Sequence, residues 1–99
     1  MEVFFKDKDL LDAVYNSRES IRRFGIIRTK LIIRRLQTLK SVNQLEQLKG
    51  LPGRFHELKG NRLGQWACDL DQPYRLIFEP ENKVGEPPCV IILEIVNYH

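Results

Sequence analysis

The sequence predicts an α+β domain in which N-terminal helices pack on one face of a small, mainly antiparallel β-sheet. Three observations lead there. The chain has 99 residues, the size of one domain spanning 1–99. In its first half the apolar residues recur at helical spacing. After Gly53 they fall into short alternating runs separated by turn residues. The resulting order of strand, helices and four strands places the helices together on one side of the sheet.

Glu2 to Phe5 is a short apolar run that suits a first strand. Asp7-Lys8-Asp9 offers an N-cap for a short helix carrying Leu10, Leu11 and Val14, fraying near Asn16 and Ser17. A second helix is expected from about Ser20 to Lys40, with an interruption at Gly25. Its apolar stripe comprises Ile26, Ile27, Leu31, Ile32, Leu36 and Leu39, and Ile33 fits that stripe poorly. Ser41 to Gln44 reads as a capping box that starts a short helix with Leu45 and Leu48. Gly50, Pro52 and Gly53 stop it.

The β half begins with a short strand over Phe55 to Lys59 and a turn over Gly60 to Gly64. Gln65 to Leu70 alternates, with Trp66, Cys68 and Leu70 on one face. Asp71-Gln72-Pro73 is a tight connection, and Tyr74 to Glu79 alternates again. Pro80 to Pro88 reads as a loop. Cys89 to Val96 is almost wholly apolar, which suits a central strand buried on both faces. Glu94 within it must point to water or to a partner.

Hydrophobic residues at 42% and charged residues at 29% are ordinary globular values and argue against a disordered chain. No run approaches the ~20 apolar residues that span a bilayer. The start, Met1-Glu2-Val3-Phe4-Phe5-Lys6, does not read as a secretory signal, so the expected compartment is the cytoplasm. Two cysteines in strand-like segments are expected to be reduced core thiols. With His56 and His99 they match no zinc spacing, so no metal and no cofactor is expected. Nucleotide-binding and hydrolase motifs are absent from the sequence.

The net charge is only +3, but eight of the sixteen basic residues lie between Arg18 and Lys40, against the single acid Glu19. Such a block, including Arg22, Arg23, Arg34 and Arg35, is either a solvated helix face or a surface for an anionic partner. A second polar set belongs to the sheet half: Arg54, His56, Lys59, Arg62, Arg75, Asn97, Tyr98 and His99. Each has an ordinary structural explanation. Together they suit metal-free cleavage of RNA, whose 2'-OH supplies the nucleophile. Histidines would move the protons, Lys and Arg would stabilise the transition-state charge, and Tyr would donate a hydrogen bond or stack on a base.

The stretch Leu51-Pro52-Gly53-Arg54-Phe55-His56-Glu57-Leu58-Lys59-Gly60-Asn61-Arg62-Leu63-Gly64-Gln65-Trp66 resembles the LPG-x-x-H-x-LKG-x-R-x-G-x-W segment of HigB-type toxins, members of the RelE/ParE superfamily. Asp71 to Phe78 is similar to that family's N-W-R-I-T-F strand, and Asn97-Tyr98-His99 to its closing D-Y-H. The resemblance covers Leu51 to His99. It implies the RelE-like fold, with N-terminal helices on a twisted antiparallel sheet. It also implies a ribosome-dependent mRNA endoribonuclease restrained by a cognate antitoxin, a HigA-type helix-turn-helix protein. By that likeness His56, His99, Tyr98 and Lys59 are catalytic. By the same likeness Lys59, Arg62 and Arg75 would contact phosphate or rRNA; Arg54, and Arg22, Arg23, Arg34 and Arg35 of the helical block, are expected to bind RNA phosphate as well.

Asn97 stands where the family often has Asp. Asn has no charge and cannot act as a base, but it can orient a histidine by hydrogen bonding. Two other readings stay open, because a shared fold does not fix the target. One is a toxin that inhibits a protein such as DNA gyrase. The other is a catalytically weak member that works by binding antitoxin or nucleic acid. A cationic surface is in any case expected to recruit an acidic or amphipathic antitoxin segment in a salt-sensitive manner.

Overall fold

A computed structural model describes residues 1–82 and 84–97, so the expected catalytic residues Tyr98 and His99 lie outside the described residues. Strand β1 (Glu2–Phe5) leads into helices α1 (Lys8–Tyr15) and α2 (Ser17–Ser41). Strands β2 (His56–Glu57), β3 (Trp66–Asp69), β4 (Tyr74–Glu81) and β5 (Cys89–Asn97) follow. Short 3-10 turns occupy Leu45–Leu48 and Gly60–Arg62. The five strands form one sheet in the order β1-β5-β4-β3-β2. All pairings are antiparallel except β1 with β5, which is parallel. Among the described residues no helix is long and apolar enough to cross a membrane.

The helices begin where short polar side chains satisfy free N–H groups. The Asp7 carboxylate accepts from the Leu10 N–H at 2.8 Å, and the Asn16 side chain accepts from the Glu19 N–H at 3.0 Å. Asn16 therefore ends α1 and caps α2, which starts at Ser17 rather than at Ser20. Gly25 breaks α2 at φ 82° and ψ 165°, a conformation open to glycine. The Ser20 and Thr29 hydroxyls meet at 2.9 Å across the break.

Two expectations about this half are corrected. Ile26 and Ile27 are 57% and 70% exposed, not part of the buried stripe. At roughly 100° per residue they lie more than a quarter turn from the buried line of Ile32, Leu36 and Leu39. The capping box sits three residues later than expected. Ser41 still belongs to α2 and its hydroxyl donates to the Thr38 carbonyl, at 2.7 Å. It is the Gln47 side chain that accepts from the N–H groups of Asn43 and Gln44, at 2.6 and 3.0 Å.

The main core lies between the helices and one face of the sheet. Val14, Ile32, Leu36 and Leu39 pack on Trp66, Cys68, Leu70, Leu76, Phe78, Val90 and Ile92. Burying each of the larger side chains contributes about 1.5–3 kcal/mol. Trp66 stacks on Phe78 with ring centroids 6.3 Å apart. Burial at Cys68 pushes its thiol pKa up to about 12. Cys68 and Cys89 are both free, and Cys89 is only half-buried. Contrary to expectation, β5 is fully buried only toward the helices, at Val90 and Ile92, because no layer covers its other side. A bulge at Ile77/Phe78 leaves Leu93 as the extra residue of β5.

One ion pair ties α2 to the β3–β4 turn. The Arg28 guanidinium donates through Nε and Nη2 to the two Asp71 carboxylate oxygens, at 2.9 and 3.0 Å. Its carbon lies 3.4 Å from the Tyr74 ring centre. The Arg28 guanidinium holds the Asp71 carboxyl below the usual carboxylate range.

Candidate functional site on the open face of the sheet

Cross-strand partners share a face, so the register lays out the side without helices. One row runs His56, Ala67, Ile77 and Glu94, and the next runs Asp69, Arg75 and Val96. Leu58, Ala67, Ile77, Leu93 and Val96 make a small apolar floor. Charged side chains stand around it.

At one end the chain enters β2 through a tight turn. Gly53 has φ 114° and Arg54 has φ 50°, the one positive φ outside glycine among the described residues. Such a backbone conformation is uncommon outside glycine. A Cβ on Gly53 would sit 2.6 Å from the Arg35 Nε, so the turn lies directly on that buried side chain. Asp69, at the end of β3, anchors the turn. Its N–H donates to the Gly53 carbonyl at 2.7 Å, and its own carbonyl accepts from the Arg35 Nε at 2.8 Å.

The Asp69 carboxylate faces two guanidiniums. Arg54 donates to it through Nε at 3.0 Å and Nη2 at 3.2 Å. The Arg75 Nε forms an ion pair with it at 2.9 Å. Arg75 also donates to the Gln72 side chain and the Tyr74 carbonyl, both at 3.3 Å. The Asp69 carboxylate raises the pKa of Arg54 by hydrogen bonding and charge. Arg54 is largely exposed, whereas the Arg75 side chain is 12% exposed. Two guanidiniums against one carboxylate leave this corner cationic.

His56 lies beside them, half-buried, with Nδ1 2.7 Å from the Arg54 carbonyl oxygen. A carbonyl only accepts, so Nδ1 carries the hydrogen. In the neutral ring the lone pair is then on Nε2. An imidazole with a bare Nε2 can take a proton, and by register His56 shares the open face with Asp69 and Arg75.

The other expected residues divide by location. Lys59 is exposed at the start of the Gly60–Arg62 turn. Arg62 reaches over the open face, donating to Gln65 and Glu94, each at 3.0 Å. Glu94 thus finds a partner within the chain. Asn97 is the exposed last residue of β5, opposite Tyr74. Arg22 pairs with Glu19, and Arg23 with Asp9 and Glu19. Arg34 is exposed on α2. Those three belong to the helical layer, across the sheet from His56. Arg35 corrects its expected role: it is 9% exposed and committed to the Asp69 carbonyl, so it cannot meet a phosphate at the surface.

At the other end, toward β1, the open face is acidic. A groove of about 490 Å³ there is lined by Phe4, Ile91 and Leu93, by the carboxylates of Glu79, Glu81 and Glu94, and by Lys6. Three glutamates against Lys6, with Glu94 paired to Arg62, make that end less favourable to a polyanion than the Arg54/Arg75 corner. Among the described residues no three His, Cys, Asp or Glu side chains group as metal ligands. Sequence reasoning missed Asp69. The alternation of Trp66, Cys68 and Leu70 put it on the opposite face, but only the strand register sets it against Arg75.

No family profile and no curated protein matches the sequence. The structure is similar to a solved one, the YoeB/ParE toxin from Agrobacterium tumefaciens, with a TM-score of 0.69. The likeness covers 100% of both chains at 16% sequence identity. The chain shares the fold of that protein, two helices on a five-stranded, mostly antiparallel sheet, which is the architecture the sequence resemblance implied.

Proposed function

We propose that this protein is the toxin of a toxin-antitoxin pair and a ribosome-dependent mRNA endoribonuclease of HigB type. The observation that carries the reading is His56, its Nδ1 committed to the Arg54 carbonyl, beside the Arg54/Arg75 pair. The fold likeness and the sequence resemblance support it. The His56 Nε2 takes the proton of an RNA 2'-OH as that oxygen attacks the adjacent phosphorus. The bond to the 5'-oxygen breaks, leaving a cyclic phosphate and a free 5'-hydroxyl. Arg54 and Arg75 receive the charge that develops on the phosphoryl oxygens. His99 protonates the leaving 5'-oxygen, Asn97 orients it, and Tyr98 positions or stacks a base. Lys59 and Arg62 contact neighbouring phosphates.

Arg22, Arg23 and Arg34 would grip rRNA from the helical side, where phosphate contacts position without reading sequence. The restraining partner is a HigA-type antitoxin, and the compartment is the cytoplasm. Inducible expression in bacteria, with mapping of mRNA 5' ends, tests the reading. Wild type should stop growth and create new in-frame cuts that His56→Ala and His99→Ala lack. Growth arrest by all three without cuts overturns it in favour of a protein target such as gyrase. The apolar and acidic groove at the β1 end is the surface that would then serve.

A further inference from the structure

We propose that Asp69 is the positioning residue of this site. Its carboxylate holds Arg54 and Arg75 as a preassembled two-guanidinium clamp for a phosphodiester. Through Arg54 it also fixes the tautomer of His56. The identity of the anion rests on the nuclease reading above; the positioning rests on geometry alone.

Asp69 is engaged at every polar group it has. Its N–H and carbonyl hold the Gly53 turn and Arg35, and its carboxylate holds Arg54 and Arg75. Arg54 sits in the left-handed region, which a non-glycine residue leaves unless its surroundings hold it there. The Asp69 N–H bond to the Gly53 carbonyl holds the turn, and the two-point contact from the Asp69 carboxylate ties the Arg54 side chain to the same residue. The Arg54 carbonyl is the one that takes the His56 Nδ1 hydrogen. A single carboxylate therefore governs both the arginines and the face of the imidazole that is free to accept a proton.

The clamp reaches solvent mainly through Arg54, whose side chain is 61% exposed, with Arg75 at 12% behind it. Arg54 uses Nε and Nη2 on Asp69, and Arg75 uses Nε there and Nη1 on Gln72 and Tyr74. The Arg54 Nη1 and the Arg75 Nη2 have no partner among the described residues. Guanidinium forks already oriented on a carboxylate present those remaining hydrogens with little further ordering. Guanidinium N–H groups of this kind are suited to the oxygens of a phosphodiester.

The test uses the full chain labelled with nitrogen-15, as wild type and as Asp69→Asn. The amide keeps the backbone bonds of residue 69 and its size but loses the charge. Long-range correlations to the His56 ring nitrogens report the tautomer without any catalysis. Wild type should show a single Nδ1–H form, and Asp69→Asn a mixture. In a ribosome-dependent cleavage assay kcat should fall about 10- to 100-fold, with KM changing less than about threefold. Asp69→Glu, which restores the charge, should recover a large part of both readouts.

An unchanged His56 tautomer in a folded Asp69→Asn protein overturns the proposal. So does a Glu variant no better than Asn. If Asp69→Asn does not fold, Arg54→Lys takes its place, keeping the charge but not the fork, with the same shift in tautomer expected. If wild type cuts no RNA yet the tautomer moves as described, the nuclease reading fails and the positioning role stands.

Discussion

Replacing Gly53 with alanine puts a methyl group where the structure has no room for it. The new Cβ would lie 2.6 Å from the Arg35 Nε, 2.9 Å from its Cδ and 3.0 Å from its Cζ. Arg35 cannot easily retreat, because it is buried and donates to the Asp69 carbonyl. Two penalties add. Forcing an L-residue to φ 114° costs about 1–3 kcal/mol. Displacing the guanidinium loses a charge-assisted hydrogen bond worth about 1.5–3 kcal/mol.

Gly64 provides the control. It has φ 90°, but nothing lies within 4 Å of its Cβ position. Gly64→Ala should therefore bear only the backbone penalty. Urea unfolding of the two variants should give the same m-value and midpoints that differ by about 1.5–3 kcal/mol of stability. Gly53→Ala is the weaker protein. Equal losses in the two variants would refute the claim that the turn rests on Arg35.

Three further outcomes are expected. The Asp71 carboxyl has its pKa lowered by Arg28, so its contribution to stability is full above the unfolded value of about 3.9 and fades as pH falls through the folded one. Asp71→Asn should thus be less stable than wild type at pH 7, with the gap closing toward pH 3 in urea titrations. Parallel curves would contradict the ion pair. Cys68 should resist alkylation at pH 8 in the native state while Cys89 reacts, since burial pushes the Cys68 thiol up to about 12. Mass spectrometry of labelled peptides checks this, and equal labelling would refute it. Arg35→Ala should lower thermal stability by about 2–4 kcal/mol, whereas the exposed Arg34→Ala should stay within about 0.5 kcal/mol. Similar melting temperatures for the two would refute the assignment of Arg35 to the interior.

Local chemistry made much of the architecture readable. The Asp7-Lys8-Asp9 stretch before an apolar run does cap α1, through Asp7, and Gly25 interrupts α2 where a flexible residue falls within a helical pattern. The alternating runs after Gly53 became β3 and β4. Errors arose where a pattern admits two partners. Ser41 and Gln44 have the composition of a cap, but the preceding helix claimed Ser41 and the Leu45–Leu48 turn used Gln47 instead. Arg34 and Arg35 are neighbours of the same type. One is exposed and the other buried, and which is which depends on the helix face that meets the sheet. His56, Arg54 and Arg75 were visible as chemistry. Asp69 was not, because its role comes from register between strands, and register is a property of pairing rather than of composition.

The parallel pairing of β1 with β5 has a consequence for how the chain is made. Glu2 pairs with Cys89 and Phe5 with Ile92, so the first strand has no place in the sheet until the last one exists. On a ribosome the helices emerge early with Ile32, Leu36 and Leu39 uncovered, awaiting Val90 and Ile92. Strands β2, β3 and β4 pair with sequence neighbours and can assemble while synthesis continues, which brings Arg54, Asp69 and Arg75 together ahead of closure. The non-local step comes last. A nascent chain stalled before Cys89 would carry the cationic corner on an open sheet with an unsealed core, a state exposed to proteases and chaperones. Completion of β5 is therefore the step that admits β1 to the sheet and covers Ile32, Leu36 and Leu39.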